Sequence, residues 1–308
     1  MMAARPIQHW RGELNHDEPM ARHTSWRTGG AARHFYKPAD LADLCVFLHD
    51  LDPAEPLLWV GLGSNLLVRD GGFPGTVIFT FGALTALEWL DDNTLRAEAG
   101  ISCARVARET ARRGLTGVEF LAGIPGTMGG ALAMNAGAFG GETWPRVVAV
   151  ETVNRHGRLQ RREAGEFQVG YRSVTGVPGE WFVAAHLRLE RGDAAMAQRR
   201  IRELLDRRGA TQPTQEYSCG SVFRNPPGDY AARLIEAAGL KGARQGGAQV
   251  SEKHANFIVN TGNASAADIE TLLLQVQAEV VRVHGVRLET EVRIVGEAVT
   301  DAGRHEHE

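Results

Sequence analysis

The sequence predicts an α+β protein made of more than one packed unit. Three observations carry that reading. The 308 residues exceed what one small core organises. Short runs rich in Val, Leu, Phe, Trp and Thr, bounded by Gly, Asp or Pro, alternate with helical patterns. A charged helical stretch at 191–215 separates a glycine-rich N-terminal body from a C-terminal unit of about 90 residues.

Taken in order, strands are predicted at 34–38, 57–61, 76–81, 87–90, 94–100, 147–155, 181–190, 256–260 and 286–295. Leu66-Leu67-Val68 reads as a further strand. Helices interleave with them. The first follows Pro38 and runs to Leu51. The second has Ser102 as N-cap, an apolar stripe of Val106, Ala107 and Ala111, and Gly114 as its stop. A third spans 193–209 with a basic outer face, and a fourth ends at Gly239. The longest begins at Ser265, with Asp268 three residues on as a capping-box variant. Its stripe of Ile269, Leu272, Leu273, Val276, Val280 and Val283 keeps a helical period.

Composition narrows the function. Thirty-four basic and 37 acidic residues leave a formal charge of −3, without the cationic footprint of a broad nucleic-acid binder. A hydrophobic content of 43% is too high for a disordered chain. No run reaches the ~18 apolar residues of a membrane helix, and the N-terminus has no signal-peptide core. Cys45, Cys103 and Cys219 lack metal or disulfide spacing, so reduced thiols and a cytoplasmic location are expected. The polar tail from 300 onward, with two histidines, reads as a solvated terminus.

The chain has 36 glycines, and three clusters of them stand out. Gly61-Leu62-Gly63-Ser64-Asn65 joins two strands, and Leu66 follows. Gly123-Ile124-Pro125-Gly126-Thr127-Met128-Gly129-Gly130 runs on to Asn135-Ala136-Gly137. Gly239, Gly242, Gly246 and Gly247 form the third. Successive N–H groups in such loops converge into an anion-binding nest. Thr127 is placed to cap a helix from Met128, whose N-terminus suits a phosphate. Each cluster alone reads more readily as an ordinary hairpin or helix C-cap. There is no G-x-G-x-x-G, no Walker lysine, no H-E-x-x-H and no Cys/His metal spacing.

Polar groups follow in the second half. Ser221 after Gly220 is a proton donor or a turn residue, without the flanking glycine of a hydrolase elbow. Arg172, after Tyr171, is a carboxylate clamp or a surface residue. In 286–295, alternation sets Val286, Leu288, Thr290, Val292 and Ile294 against Arg287, Glu289, Glu291 and Arg293. That charged row either orients an acid or is a solvated salt-bridged face. Lys253, His254 and Asn256 precede a buried strand, where a lone His is more often structural.

Seven segments together resemble one family, the UDP-N-acetylenolpyruvoylglucosamine reductases. They are NHDEPMARHTSWRTGG, WVGLGSNLLVRDGGFPG, GVEFLAGIPGTMGGALAMNAGAFGGE, YR, CGSVFRNP, AGLKGARQGGAQVSEKHANFIVN and LETEVRIVG, in the family's order from about residue 15 to 297. The resemblance implies a two-subdomain FAD-binding fold of the vanillyl-alcohol-oxidase type plus a C-terminal α+β substrate domain. The implied divisions are an extension at 1–20, FAD-binding subdomains at 21–83 and 84–210, a substrate domain at 211–299, and the tail at 300–308. The chain is similar to the compact branch that lacks a long substrate-capping insertion.

FAD is the implied cofactor and NADPH the implied hydride donor, with a UDP-sugar as substrate and no nucleic-acid or membrane partner. The resemblance assigns Gly61, Gly63, Ser64, Asn65, Leu66, Gly123, Ile124, Pro125, Gly126, Thr127, Gly129, Gly130, Asn135 and Gly137 to the cofactor. It assigns Arg172, Ser221 and Glu291 to catalysis, with Ser221 as proton donor to carbon and hydride from flavin N5. Tyr171, Asn225, Lys253 and Arg293 are assigned to the substrate, and no residue to a metal. Two departures from the family pattern stand out: Ser173-Val174-Thr175 after the Tyr-Arg pair, and Arg224 where Lys is common. Another flavin oxidase on the same fold, or a flavin-binding regulator without turnover, are the competing readings; the presence of Arg172, Ser221 and Glu291 together favours the reductase.

Overall fold

The computed structural model describes residues 10–299. The expected terminal tail and its histidines, and residues 1–9, lie outside them. Two sheets make up the N-terminal body. The first has the order β1-β2-β5-β3, with β1 Glu13–Pro19, β2 Ala31–Lys37, β3 Leu57–Val60 and β5 Phe73–Phe79. β2, β5 and β3 are parallel, and helix α1 (Leu41–Asp50) is the crossover between β2 and β3. Asp40 caps α1 by accepting from the Asp43 amide. β1 pairs antiparallel with β2, so residues 13–19 belong to this sheet and are not a free extension. The strand expected at 76–81 starts earlier and stops at Phe79, where Thr80 turns away with its N–H on Val60.

The second sheet is fully antiparallel. Strands Leu159–Glu163, Val147–Asn154 and Glu180–Arg188 are followed by β7 (Thr94–Glu98) and β6 (Leu87–Trp89). Helices α2 (Cys103–Arg112) and α4 (Ala194–Thr211) pack with it around Val106, Ala107, Ala111, Leu187, Ala197 and Ile201. Ser102 caps α2 as predicted. Short helix α3 (Met128–Ala133) lies against the same core through Met128, Ala131 and Leu132.

The C-terminal unit is a small antiparallel sheet under α5 (Ala231–Ala237) and α6 (Ala266–His284). The capping box at Ser265 and Asp268 forms in both directions, and Gly285 closes α6 in the left-handed region. The stripe runs from Ile269 to Val280 but does not reach Val283, which is 42% exposed.

The body and this unit are sewn together. Trp26 and Leu67 lie inside the C-terminal core. The Trp26 indole donates to the Ile258 carbonyl at 2.7 Å, and Asn260 donates back to the Trp26 carbonyl at 2.8 Å. Both carboxylate oxygens of Asp70 accept from the first amides of α6, Ala266 and Ala267, at 2.9 Å each. Arg69 forks onto Glu270. Strand Arg293–Val295 pairs parallel with β4 (Leu66–Val68). The strand predicted over 286–295 is therefore real only at its end. Residues 286–292 hold to the Ser221–Arg224 segment by one isolated bridge and a few amides, because no neighbouring strand lies alongside them.

Candidate active site

The loop from β3 to β4 is Gly61 to Asn65. Gly63 sits at φ +66°, and a Cβ there would lie 1.9 Å from the His23 carbonyl oxygen, so only glycine fits. Among the described residues, the backbone N–H groups of 61–65 have no acceptor. Five consecutive free donors in a bent loop form a nest for an anion. Opposite stands α3. Thr127 occupies its N-cap position, but the side chain makes no capping bond, contrary to expectation; the buried Thr127 hydroxyl has no partner. Its place against Gly61 explains this, since a Cβ on Gly61 would come within 2.3 Å of that oxygen. At Gly126 and Gly130 a Cβ would find its nearest neighbours at 3.5 and 3.9 Å, so both glycines leave room on the open side.

Nest and α3 form two walls of a cavity of about 390 Å³. The third wall comes from the second sheet and its loops: Thr152, Phe167, Glu180, Trp181 and Phe182. Trp181 stacks on Trp59 at 5.2 Å. Glu180 accepts from Arg162 and from the Thr152 hydroxyl, each at 2.6 Å, and these bonds, the arginine's foremost, hold its carboxyl below the usual range.

A polar cluster adjoins the cavity beside Asn65 and Met134. Residues 168–175 form a hairpin with Tyr171-Arg172 at its two-residue tip. Arg172 adopts φ +52°, a position that favours glycine. Its guanidinium donates to the Gly137 carbonyl at 2.8 Å and to the Asn135 carbonyl at 3.4 Å. Its Nε stands 3.1 Å from the Glu291 carboxylate, with both side chains largely buried. Burial pushes the Glu291 carboxyl above its ordinary value, against the opposing pull of Arg172 and Arg224. Of the two glutamates in its alternating row, Glu291 turns inward and Glu289 stays exposed. Its N–H bonds the Val222 carbonyl at 2.8 Å, and its carbonyl accepts from the Asn65 amide at 3.1 Å.

That bond to Val222 sets Glu291 beside Ser221. Asn256 fixes the serine's segment by accepting from the Phe223 N–H and donating to the Phe223 carbonyl. The Ser221 side chain is half-buried, and its hydroxyl has no hydrogen-bond partner among the described residues. Cys219 nearby is buried, and burial together with the Glu291 charge pushes its thiol well up.

Ten of the fourteen residues assigned to a cofactor line the cavity: Gly61, Gly63, Ser64, Asn65, Leu66, Ile124, Gly126, Thr127, Gly129 and Gly130. Gly123, Pro125, Asn135 and Gly137 do not. Gly123 packs against the Phe139 ring, and Asn135 and Gly137 face Arg172. Arg293 lines the cavity. Tyr171 is exposed beneath the Arg172 guanidinium. Asn225 accepts from the Ala231 N–H at the start of α5, and Lys253 donates to the Gly209 carbonyl at the end of α4. Both have structural partners away from the Arg172–Glu291 pair. His254 is packed on Phe257, as a structural histidine. The third wall is what sequence reasoning missed; only the aromatic residues in 181–182 hinted at it.

These features define a class, an oxidoreductase with a two-subdomain FAD-binding fold. Residues 32–162 match the family model of an FAD binding domain. Residues 212–295 match the model described as UDP-N-acetylenolpyruvoylglucosamine reductase, C-terminal domain. The chain is 64% identical over 298 residues to the UDP-N-acetylenolpyruvoylglucosamine reductase of Alkalilimnicola ehrlichii, covering 97% of this chain and 99% of that protein. It is 62% identical to the protein of that name from Methylococcus capsulatus, covering 96% and 97%. The crystal structure of UDP-N-acetylenolpyruvylglucosamine reductase from Thermus caldophilus matches with a TM-score of 0.79 at 34% identity, over 92% of this chain and 98% of that one. The chain belongs to the UDP-N-acetylenolpyruvoylglucosamine reductase family.

The cavity fits FAD. Free amides of 61–65 suit a diphosphate, and Gly126 and Gly130 leave space where side chains would intrude. No described helix is long and apolar enough to cross a membrane, and no group of three metal-ligating side chains occurs among the described residues.

Proposed function

We propose that this protein is an NADPH-dependent flavoenzyme of the cytoplasm. It reduces the enolpyruvyl ether of UDP-N-acetylglucosamine enolpyruvate to UDP-N-acetylmuramate, a step of peptidoglycan precursor synthesis. The observation that carries this reading is the Arg172–Glu291 pair at 3.1 Å, set beside the unpartnered Ser221 hydroxyl and adjoining the nest-lined cavity.

Residues 61–66 and 124–130 would hold FAD, which when bound and reduced by NADPH would supply the hydride that the terminal carbon of the enol ether needs. An enol ether is electron-rich, so the double-bond electrons need a place to go. Arg172 takes the substrate carboxylate, where that charge develops, and is preorganised by two backbone carbonyls. Glu291 holds Arg172 from the other side. Its raised pKa lessens the repulsion that a bare carboxylate would exert on the substrate's own. Ser221 gives its hydroxyl proton to the adjacent carbon and regains one from water. Arg293, on the cavity wall, and the exposed Tyr171 beside Arg172 bind the substrate, whereas Asn225 and Lys253 keep their structural partners.

Anaerobic stopped-flow absorbance of the two half-reactions tests this. Purified protein is expected to be yellow and to bleach with NADPH. Ser221→Ala should leave that bleaching nearly intact and slow reoxidation by the enolpyruvyl sugar by about 10²-fold or more. Equal losses in both halves would remove Ser221 from its role.

A further inference from the structure

We propose that Asn135 is a positioning residue that acts through Arg172, and not a contact to the cofactor. The proposal rests on the role given to Arg172 above.

Asn135 is 2% exposed and adopts φ +44°, a left-handed conformation that asparagine tolerates better than most side chains. Its side-chain amide has all its partners. Nδ2 donates to the Glu142 carboxylate at 3.0 Å and to the Gly170 carbonyl at 3.2 Å. Oδ1 accepts from the Trp144 N–H at 3.1 Å. Two acceptors on one side and a donor on the other allow a single orientation, since a reversed amide would set oxygen against a carboxylate and a carbonyl.

The consequence reaches Arg172 twice. Gly170 is the last residue before the Tyr171-Arg172 tip, so the bond to its carbonyl ties down the hairpin backbone. The main-chain carbonyl of Asn135 then accepts from the guanidinium itself, beside Gly137. The hairpin has little else to hold it. Gln168, Val169, Gly170, Ser173 and Thr175 are all exposed, and only Val174 packs inward. A left-handed arginine on a two-residue turn is strained and persists only where surroundings impose it. Asn135 is the polar group that imposes it. Glu142 in turn fixes the amide, and Trp144 ties the far end to the second core.

The test uses the flavin-loaded enzyme and follows each half-reaction. Asn135→Gly keeps the backbone conformation and deletes the amide. Reoxidation at saturating enolpyruvyl sugar should slow about 10- to 100-fold, as a misplacement near 1 Å does. The half-saturating substrate concentration and the rate of flavin reduction by NADPH should each move less than threefold. In an Arg172→Lys background the same change should cost almost nothing, because the two residues act as one unit. Additive losses in that cycle, a wild-type rate in Asn135→Gly, or loss of bound flavin would each overturn the proposal. If the wild-type enzyme is not reoxidised by the sugar at all, it is the assigned reaction that fails, a distinct outcome.

Discussion

At the scale of single residues, Arg172 and Glu291 show how burial and pairing share one site. Neither is fully desolvated: burial disfavours the Glu291 carboxylate, and the Arg172 guanidinium beside it works the other way. His254 shows burial without a charged partner. Its imidazole is held below its ordinary value, chiefly by desolvation. The sign follows from linkage. The unfolded chain takes up a proton near pH 6.5, whereas the folded one resists until lower pH, so stability is lost as pH falls through that interval. His254→Gln should therefore lose less stability between about pH 7 and pH 5 than the wild type, read as urea midpoints at each pH. An equal slope would mean that the histidine is not held neutral. Sequence alone marked His254 as structural from its place before an apolar strand. The resemblance assigns Asn135 to the cofactor; a glycine-rich motif says that backbone approaches something without saying what its polar side chains reach.

At the scale of elements, α3 and the nest carry the site, and the glycines of α3 divide by what faces them. A Cβ on Gly129 would press on Ala99 at 2.9 Å, whereas one on Gly130 would extend into space. Gly130→Ala should stabilise the flavin-free protein by up to about 1 kcal/mol, the ordinary gain from replacing a helical glycine. It should also weaken flavin binding by roughly tenfold, about 1.4 kcal/mol. Gly129→Ala should instead destabilise by about 1–2 kcal/mol, because overpacking outweighs the helical gain. Thermal midpoints of flavin-free protein and a flavin titration separate the two; similar behaviour would remove the distinction. Helix boundaries were legible wherever their signals are local, as at Ser102 and at Ser265 with Asp268. The run at 286–295 was overread, because alternation says which way side chains face and not whether a partner strand exists. Glu291 and Arg293 leave the outward pattern of their row, one for Arg172 and the other for the cavity wall.

At the scale of the whole molecule, contacts across the chain decide what no local pattern predicts. Asp70 caps α6 from 196 residues away, and Trp26 and Leu67 enter a core otherwise built from residues beyond 200. Division into body and C-terminal unit was readable from composition, but the stitching between them was not. One stitch has a mechanical meaning. Pairing Arg293 with Leu66 bolts the acid's segment to the end of the nest, and Asn65 adds two more bonds across the same seam. Phosphate cradle and Glu291 thus form a fixed jamb. Facing Glu291 across 3.1 Å is the hairpin tip that carries Arg172, most of whose residues are exposed. Amide exchange should therefore run faster at 168–175 than at 291–295.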